Sequence, residues 1–264
     1  PAPAFRERAR QGRCGVGLPR PAILARLLLD PSKGLLVFTP LLLLLPAGLA
    51  SARRRLSPGA FAALVLAPLS ILLTYAGYPN WHGGFTVGAR YLVGALPFLL
   101  LPLAFVRWGP VASALAGAST AAVALTTLVF PFVPPGFPLP WGSFALPILA
   151  EGLLAPNLLH AVARPLALVV PFALVLGAAA VAVGRKGLPA FLLGALAWGA
   201  AGVLLPVFAP LSPPLVVQRG YVEEVYFTRE GALERSMPKG VAVPPRLRAR
   251  QRMEQTLPPS PWPF

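Results

Sequence analysis

The sequence predicts an all-α fold: a polytopic transmembrane helix bundle of about six spans, with interfacial helices in an outer loop and a mostly irregular C-terminal tail. Three observations point there. The 264 residues are 56% hydrophobic, with a mean hydropathy of +0.70. Charged residues make up 12%, about half the ~25% of a soluble domain. The apolar residues gather into runs of 16 to 22, and a helical crossing needs about 17 to 25. A soluble, wholly buried helical core is the alternative reading of such runs.

Residues 1–26 read as an irregular basic segment. Within them "AFRERARQGRCGVGLPR" (4–20) has neither helical nor strand periodicity, and is either a loop or the product of a misread frame. The chain begins with Pro and carries no basic–apolar signal pattern, which suggests the C-terminal piece of a longer protein. Residues 27–209 form the transmembrane domain. Its expected spans lie near 34–50, 60–77, 91–106, 110–130, 165–184 and 188–209. The first and third are short and need help from flanking residues or local thinning. Pro46, Pro68, Pro97, Pro102, Pro171 and Pro206 sit inside spans. In a bundle, neighbouring helices satisfy the carbonyls that such prolines free. Gly and Ala dominate the last three spans, and small residues let helices pack closely.

The loops set an orientation. "SARRRLSPG" (51–59), "RWG" (107–109) and "GRKG" (184–187) together carry six basic residues, whereas the alternate short loops carry Arg90 and Arg164. Positive-inside logic puts the first group in the cytoplasm and the 79–90 loop and the 131–164 loop outside. In the long outer loop, "PFVPPGFPLPWGSF" is too proline-rich for a helix and is expected to be irregular. "LPILAEGLLAPNLLHAVAR" reads as one or two short helices at the membrane surface. Residues 210–264 form an extramembrane tail, with a small hairpin around Gly220 and a basic, then proline-rich end.

The formal charge of +15 is concentrated outside the spans, with seven of 23 basic residues in 1–33 and eight after 210. That distribution suits anionic lipid better than nucleic acid, and no nucleic-acid motif is visible. A single cysteine, Cys14, and two histidines make a metal site improbable, and no cofactor is expected. His160 and Glu151 are nine apart, which is not a helical pairing distance.

Two stretches carry candidate chemistry. "PNWHGGFTVGARYL" (79–92) sets Trp81, His82, Gly83, Gly84 and Arg90 between apolar runs. Interfacial anchoring accounts for Tyr78 and Trp81. Paired glycines permit tight turns and close approach to a ligand, and arginine offers a planar fork suited to phosphate. "LLLDPSKGLLVF" (27–38) sets Asp30, Ser32 and Lys33 ahead of the first span on the same side. Lys33 and Arg90 could converge on one anion, or Lys33 could be an ordinary helix-end anchor and Arg90 could snorkel to headgroups.

Together "DPSKGLLVFTP", "RRR" and "WHGGFTVGARYLVGALP" resemble the C-terminal half of bacterial GT-C-type membrane glycosyltransferases, the broad family 39 or protein-mannosyltransferase-like group. Pro31, Ser32, Lys33, Gly34 and Leu35 match one motif. Trp81, Gly83, Gly84, Gly88, Arg90, Tyr91, Leu92 and Pro97 match the other, with Ala89 where proline is common. The likeness covers about residues 27–205. It implies a multi-pass protein of the bacterial inner (plasma) membrane that moves a sugar from a polyprenyl-phosphate donor on the outer face. Lys33, Trp81, His82, Gly83, Gly84, Arg90 and Tyr91 would be its substrate-binding residues, with Trp81 stacking on a sugar. The family's catalytic base lies in an N-terminal region that this chain does not contain, so the catalytic residue is unknown. The competing readings are a transporter or flippase half and a non-catalytic membrane scaffold. The spans hold no buried Asp, Glu, Lys or Arg, which argues against ion coupling.

Overall fold

The computed structural model describes residues 16–78, 80–84, 86–133, 137–150, 154, 159 and 164–208. Every regular element among these residues is helical. In order they are α1 (Pro21–Leu29), α2 (Leu35–Phe38), α3 (Leu45–Arg53), α4 (Pro58–Ala76), α5 (Leu96–Leu100), α6 (Pro110–Val129), α7 (Leu146–Ala150) and α8 (Arg164–Phe208). Tighter 3₁₀ turns at Pro40–Leu44, Arg90–Ala95 and Leu101–Phe105 join several of them, and a wider π turn at Trp141–Ala145 leads into α7.

Three helices are long and apolar enough to cross a membrane: Pro58–Ala76, Pro110–Val129 and Val169–Pro206. The first two are 19 and 20 residues, and at 1.5 Å per residue each spans about 28 to 30 Å, the thickness of a bilayer's hydrocarbon core. Proline opens both, where its missing N–H costs nothing, and the Ser57 hydroxyl caps α4 by accepting from the Ala60 N–H. Leu66, Leu174, Val181 and Leu196 stand exposed on the outside of these helices, faces that suit lipid better than water.

Two of the other expected spans are broken into short pieces, and the last two meet at a kink. The run at 34–50 breaks after α2, because Thr39 leaves the helical region and Pro40 restarts the chain as a 3₁₀ turn. The run at 91–106 alternates 3₁₀ and α turns, with Pro97 and Pro102 each opening a new segment. A proline can start a turn but cannot donate within one, so a run punctuated this way folds as short pieces. Residues 164–208 form one element with an internal break at Gly184 (φ 67°, ψ 171°), which falls at the "GRKG" loop.

Two segments expected to be irregular are helical. Residues 21–26 belong to α1, opened by Pro21 and seated by hydrogen bonds from the Gly17 and Arg20 N–H groups to the Gly77 and Ala76 carbonyls. "WGSF" forms the π turn, and Trp141, Phe144 and Ile148 are fully buried in the protein rather than laid along its surface. Glu151, His160, the rest of the expected surface helices and the tail hairpin lie outside the described residues.

Small residues make a close contact between α6 and α8. A Cβ on Gly117 of α6 would strike the Phe191 carbonyl of α8, and one on Gly194 would strike the Ala114 carbonyl. The two backbones therefore touch, as glycine-lined membrane helices do. Near the far end of α8, the Trp141 indole N–H donates to the Trp198 carbonyl (2.9 Å), and the Trp198 indole N–H donates to Val37 (3.1 Å). Those bonds tie α8 to the segment beside Lys33.

The contacts sort the loops into two ends. Gly187, next to Arg185 and Lys186, packs on Ser113 at the start of α6, close after Arg107. Gly48 of α3 packs on Pro102, just before Arg107, and α3 leads into the Arg53–Arg55 loop. The opposite ends of α4 and α6 carry the 80–91 loop and residues 130–133.

Candidate functional site

The site grows from a tight turn after α1. Asp30 Oδ1 accepts from the Ser32 N–H (2.8 Å), the Ser32 hydroxyl (2.6 Å) and the Lys33 N–H (3.1 Å). Gly34 closes the turn by donating to the Asp30 carbonyl at 2.6 Å, and a Cβ there would meet that carbonyl and the Asp30 nitrogen. The Asp30 carboxylate is thus an organiser of the turn. Pro31 is held from outside, its carbonyl accepting from Leu139 N–H (2.8 Å).

The turn aims Lys33 into the protein. Its side chain has no exposed surface. The amine donates to the Thr86 carbonyl and, at 2.9 Å, to the Val133 carbonyl, which also accepts the Thr86 N–H at 3.0 Å. Burial pulls the Lys33 amine down to about 7, an effect Asp30 opposes and Arg90 reinforces. Lys33 is therefore not a helix-end anchor reaching for headgroups. It is a buried cross-link between two motifs.

The second motif folds around it. Asn80 accepts from the Gly83 N–H (3.2 Å), and Gly83, Gly84 and Gly88 all take positive φ (71°, 73° and 58°). Such backbone favours glycine, so the Gly-Gly pair is explained by the turn itself. Gly83 lies against the Arg90 and Tyr91 side chains, and Gly88 against the Phe38 ring. His82 is buried, and its Nδ1 accepts the Gly84 N–H at 3.1 Å. Burial lowers the His82 ring to about 4, helped by Lys33 and opposed by Asp30, so the ring is neutral at pH 7. An imidazole that accepts at Nδ1 carries its proton on Nε2.

Trp81 corrects one expectation. Only 3% exposed, it belongs to the core with Leu27 and Leu92, and the Arg26 guanidinium sits 5.9 Å from its ring. A ring so covered offers no face for a sugar. Tyr91 stacks on Tyr75 (4.7 Å) and meets Tyr78 edge-on (5.5 Å). Over Tyr91 lies Arg90, 5.2 Å from ring centre to guanidinium carbon. Arg90 is exposed, so it is a cation held in place by an aromatic face while open to a ligand.

Among the described residues, then, Lys33 and the 80–91 loop are brought together, with Lys33 inside and Arg90 at the rim. No family model, curated protein or solved structure matches this chain. No group of His, Cys, Asp and Glu suited to a metal occurs among the described residues. Two parts of the site escaped sequence reasoning: Asn80 and Thr86. Asn80 precedes the recognised motif, and Thr86 contributes chiefly through its carbonyl, which no residue type advertises.

Proposed function

We propose that this chain is part of a GT-C-type glycosyltransferase of the bacterial inner membrane, and that it binds the phosphate of a polyprenyl-phosphate sugar donor on the outer face. The observation that carries this reading is the docking of the two motifs, fifty residues apart, through Lys33 onto Thr86 and Val133, with Arg90 left exposed above Tyr91. An arginine held there would take the anionic head of a lipid whose tail stays in the bilayer, and would stabilise charge on the leaving phosphate.

The placement of Arg53–Arg55, Arg107, Arg185 and Lys186 away from the site supports an outward-facing site under the positive-inside rule. A six-crossing topology fits if the broken runs at 34–50 and 91–106 also enter the bilayer and the two halves of α8, on either side of Gly184, cross separately. Asp30 is committed to its turn and is the only carboxylate among the described residues. The general base that activates the acceptor therefore lies elsewhere.

The test is sugar transfer from a polyprenyl-phosphate donor in membranes expressing the gene. Arg90→Ala should abolish transfer while insertion and expression level stay unchanged. Full activity in that variant would remove the phosphate role.

A further inference from the structure

Four buried side-chain polar atoms lack a hydrogen-bond partner among the described residues: Asn80 Oδ1, His82 Nε2, Thr86 Oγ1 and Ser113 Oγ. Three belong to the one loop that wraps Lys33. Buried polar groups are nearly always paired, and each orphan costs roughly 1 to 3 kcal/mol. A loop that keeps three beside a candidate anion site is built to have them paired by something that enters.

The chemistry of the three atoms narrows what that is. His82 Nε2 carries a hydrogen, because Nδ1 is already an acceptor for the Gly84 N–H. Asn80 Oδ1 only accepts. Thr86 Oγ1 does both. A phosphate or carboxylate oxygen would satisfy His82 but leave Asn80 unpaired, since an anion has no hydrogen to give. An ammonium group would satisfy Asn80 and leave His82 unpaired. A hydroxyl accepts and donates at once, and so matches the chemistry of all three atoms. The neutral state of the His82 ring points the same way: a site meant to add charge against an anion would not hold its imidazole uncharged beside Lys33.

We propose that the 80–88 loop is a subsite for a neutral, hydroxyl-bearing group, a sugar ring, next to the anion position at Arg90. The proposal rests on reading Arg90 as the holder of a lipid phosphate, and adds that the sugar attached to it is recognised by Asn80, His82 and Thr86. Trp81, the obvious sugar-stacking residue, is not part of this subsite: its ring packs in the apolar core with Leu27 and Leu92, whereas Asn80, His82 and Thr86 keep unpaired polar atoms. Recognition is by hydrogen bonds, which discriminate strongly because an unfilled site leaves its own groups unpaired.

The experiment is binding to the full chain in lipid nanodiscs, with three probes: undecaprenol, undecaprenyl phosphate, and undecaprenyl phosphate carrying glucose or mannose. Wild type should bind a glycosylated lipid about tenfold more tightly than the bare phosphate. His82→Phe and Thr86→Val should each erase that preference while still binding bare undecaprenyl phosphate. His82→Gln, which keeps a side-chain N–H, should retain part of it. Equal wild-type affinity for bare and glycosylated lipids overturns the sugar subsite and leaves the phosphate reading intact. So does equal weakening of both lipids by His82→Phe and Thr86→Val. Binding of neither phosphate lipid above undecaprenol overturns the phosphate reading itself, and the subsite with it.

Discussion

The Lys33 amine donates a 2.9 Å hydrogen bond to the carbonyl of Val133, a hundred residues further along the chain, and the same carbonyl accepts from the Thr86 N–H. One buried side chain thereby joins the turn after α1, the glycine-rich loop and the exit from α6. Lys33→Met should keep the volume and remove the donors. The Thr86 amide should then exchange with deuterium about tenfold faster, as loss of a bond worth roughly 1.4 kcal/mol implies, with little change at the centre of α4. Unchanged exchange at Thr86 would show that the loop is held by other means.

The His82 ring gives a pH signature. Its folded value of about 4 lies below the ordinary 6.5, so the unfolded chain binds the proton more readily. Stability contributed by the neutral ring is complete above pH 6.5 and is lost as pH falls from about 6.5 towards 4, with a slope of up to about 1.4 kcal/mol per pH unit. Lys33 and Asp30 are the charged groups acting on the ring. Between pH 7 and pH 5 the thermal midpoint of wild type in detergent should fall relative to that of His82→Phe. A constant difference across that range would mean that the ring does not titrate against burial.

The glycines separate into two kinds. Gly84 has φ 73° and open space where a Cβ would point, so Gly84→Ala should cost only the backbone conformation, about 1 kcal/mol. Gly88 has φ 58° and would also set its Cβ 3.3 Å from the Phe38 ring, so Gly88→Ala should cost more. Thermal midpoints measured side by side rank the two, and the reverse order would contradict the docking of this loop on α2.

In the helix pair the contrast is sharper. Gly117→Ala drives a methyl into the Phe191 carbonyl and should destabilise the α6–α8 contact, whereas Gly199, with nothing near its Cβ position, should tolerate Ala or gain up to about 1 kcal/mol from it. Detergent unfolding of the two variants distinguishes them, and equal behaviour would contradict the close approach.

How much of this was legible depended on whether the signal was local. Helices α4 and α6 announce themselves by uninterrupted apolar length after an opening proline, and Gly184 marks the break in α8. The runs at 34–50 and 91–106 have the same composition but carry prolines a turn or two apart, and composition does not say where a helix restarts. Helix α1 was hidden by basic residues, although Ile23 and Leu27 on one face are both buried. For the site, residue type located Lys33, His82 and Arg90 but not their roles. Burial inverted the expected order: Lys33 went inside, Trp81 went into the core, and Arg90 alone of the three stayed at the surface. Those outcomes turn on carbonyls at Thr86 and Val133 that only the fold brings near.

The most direct measurement is the affinity of the full chain in nanodiscs for undecaprenyl phosphate, wild type against Arg90→Gln. Arg90 is exposed and its guanidinium lies over Tyr91, so the variant should unfold close to the wild-type temperature and bind the lipid at least about tenfold more weakly, a loss fitting one charge-assisted contact to phosphate. Equal affinity in the two proteins would contradict the assignment of Arg90 as the holder of a lipid phosphate.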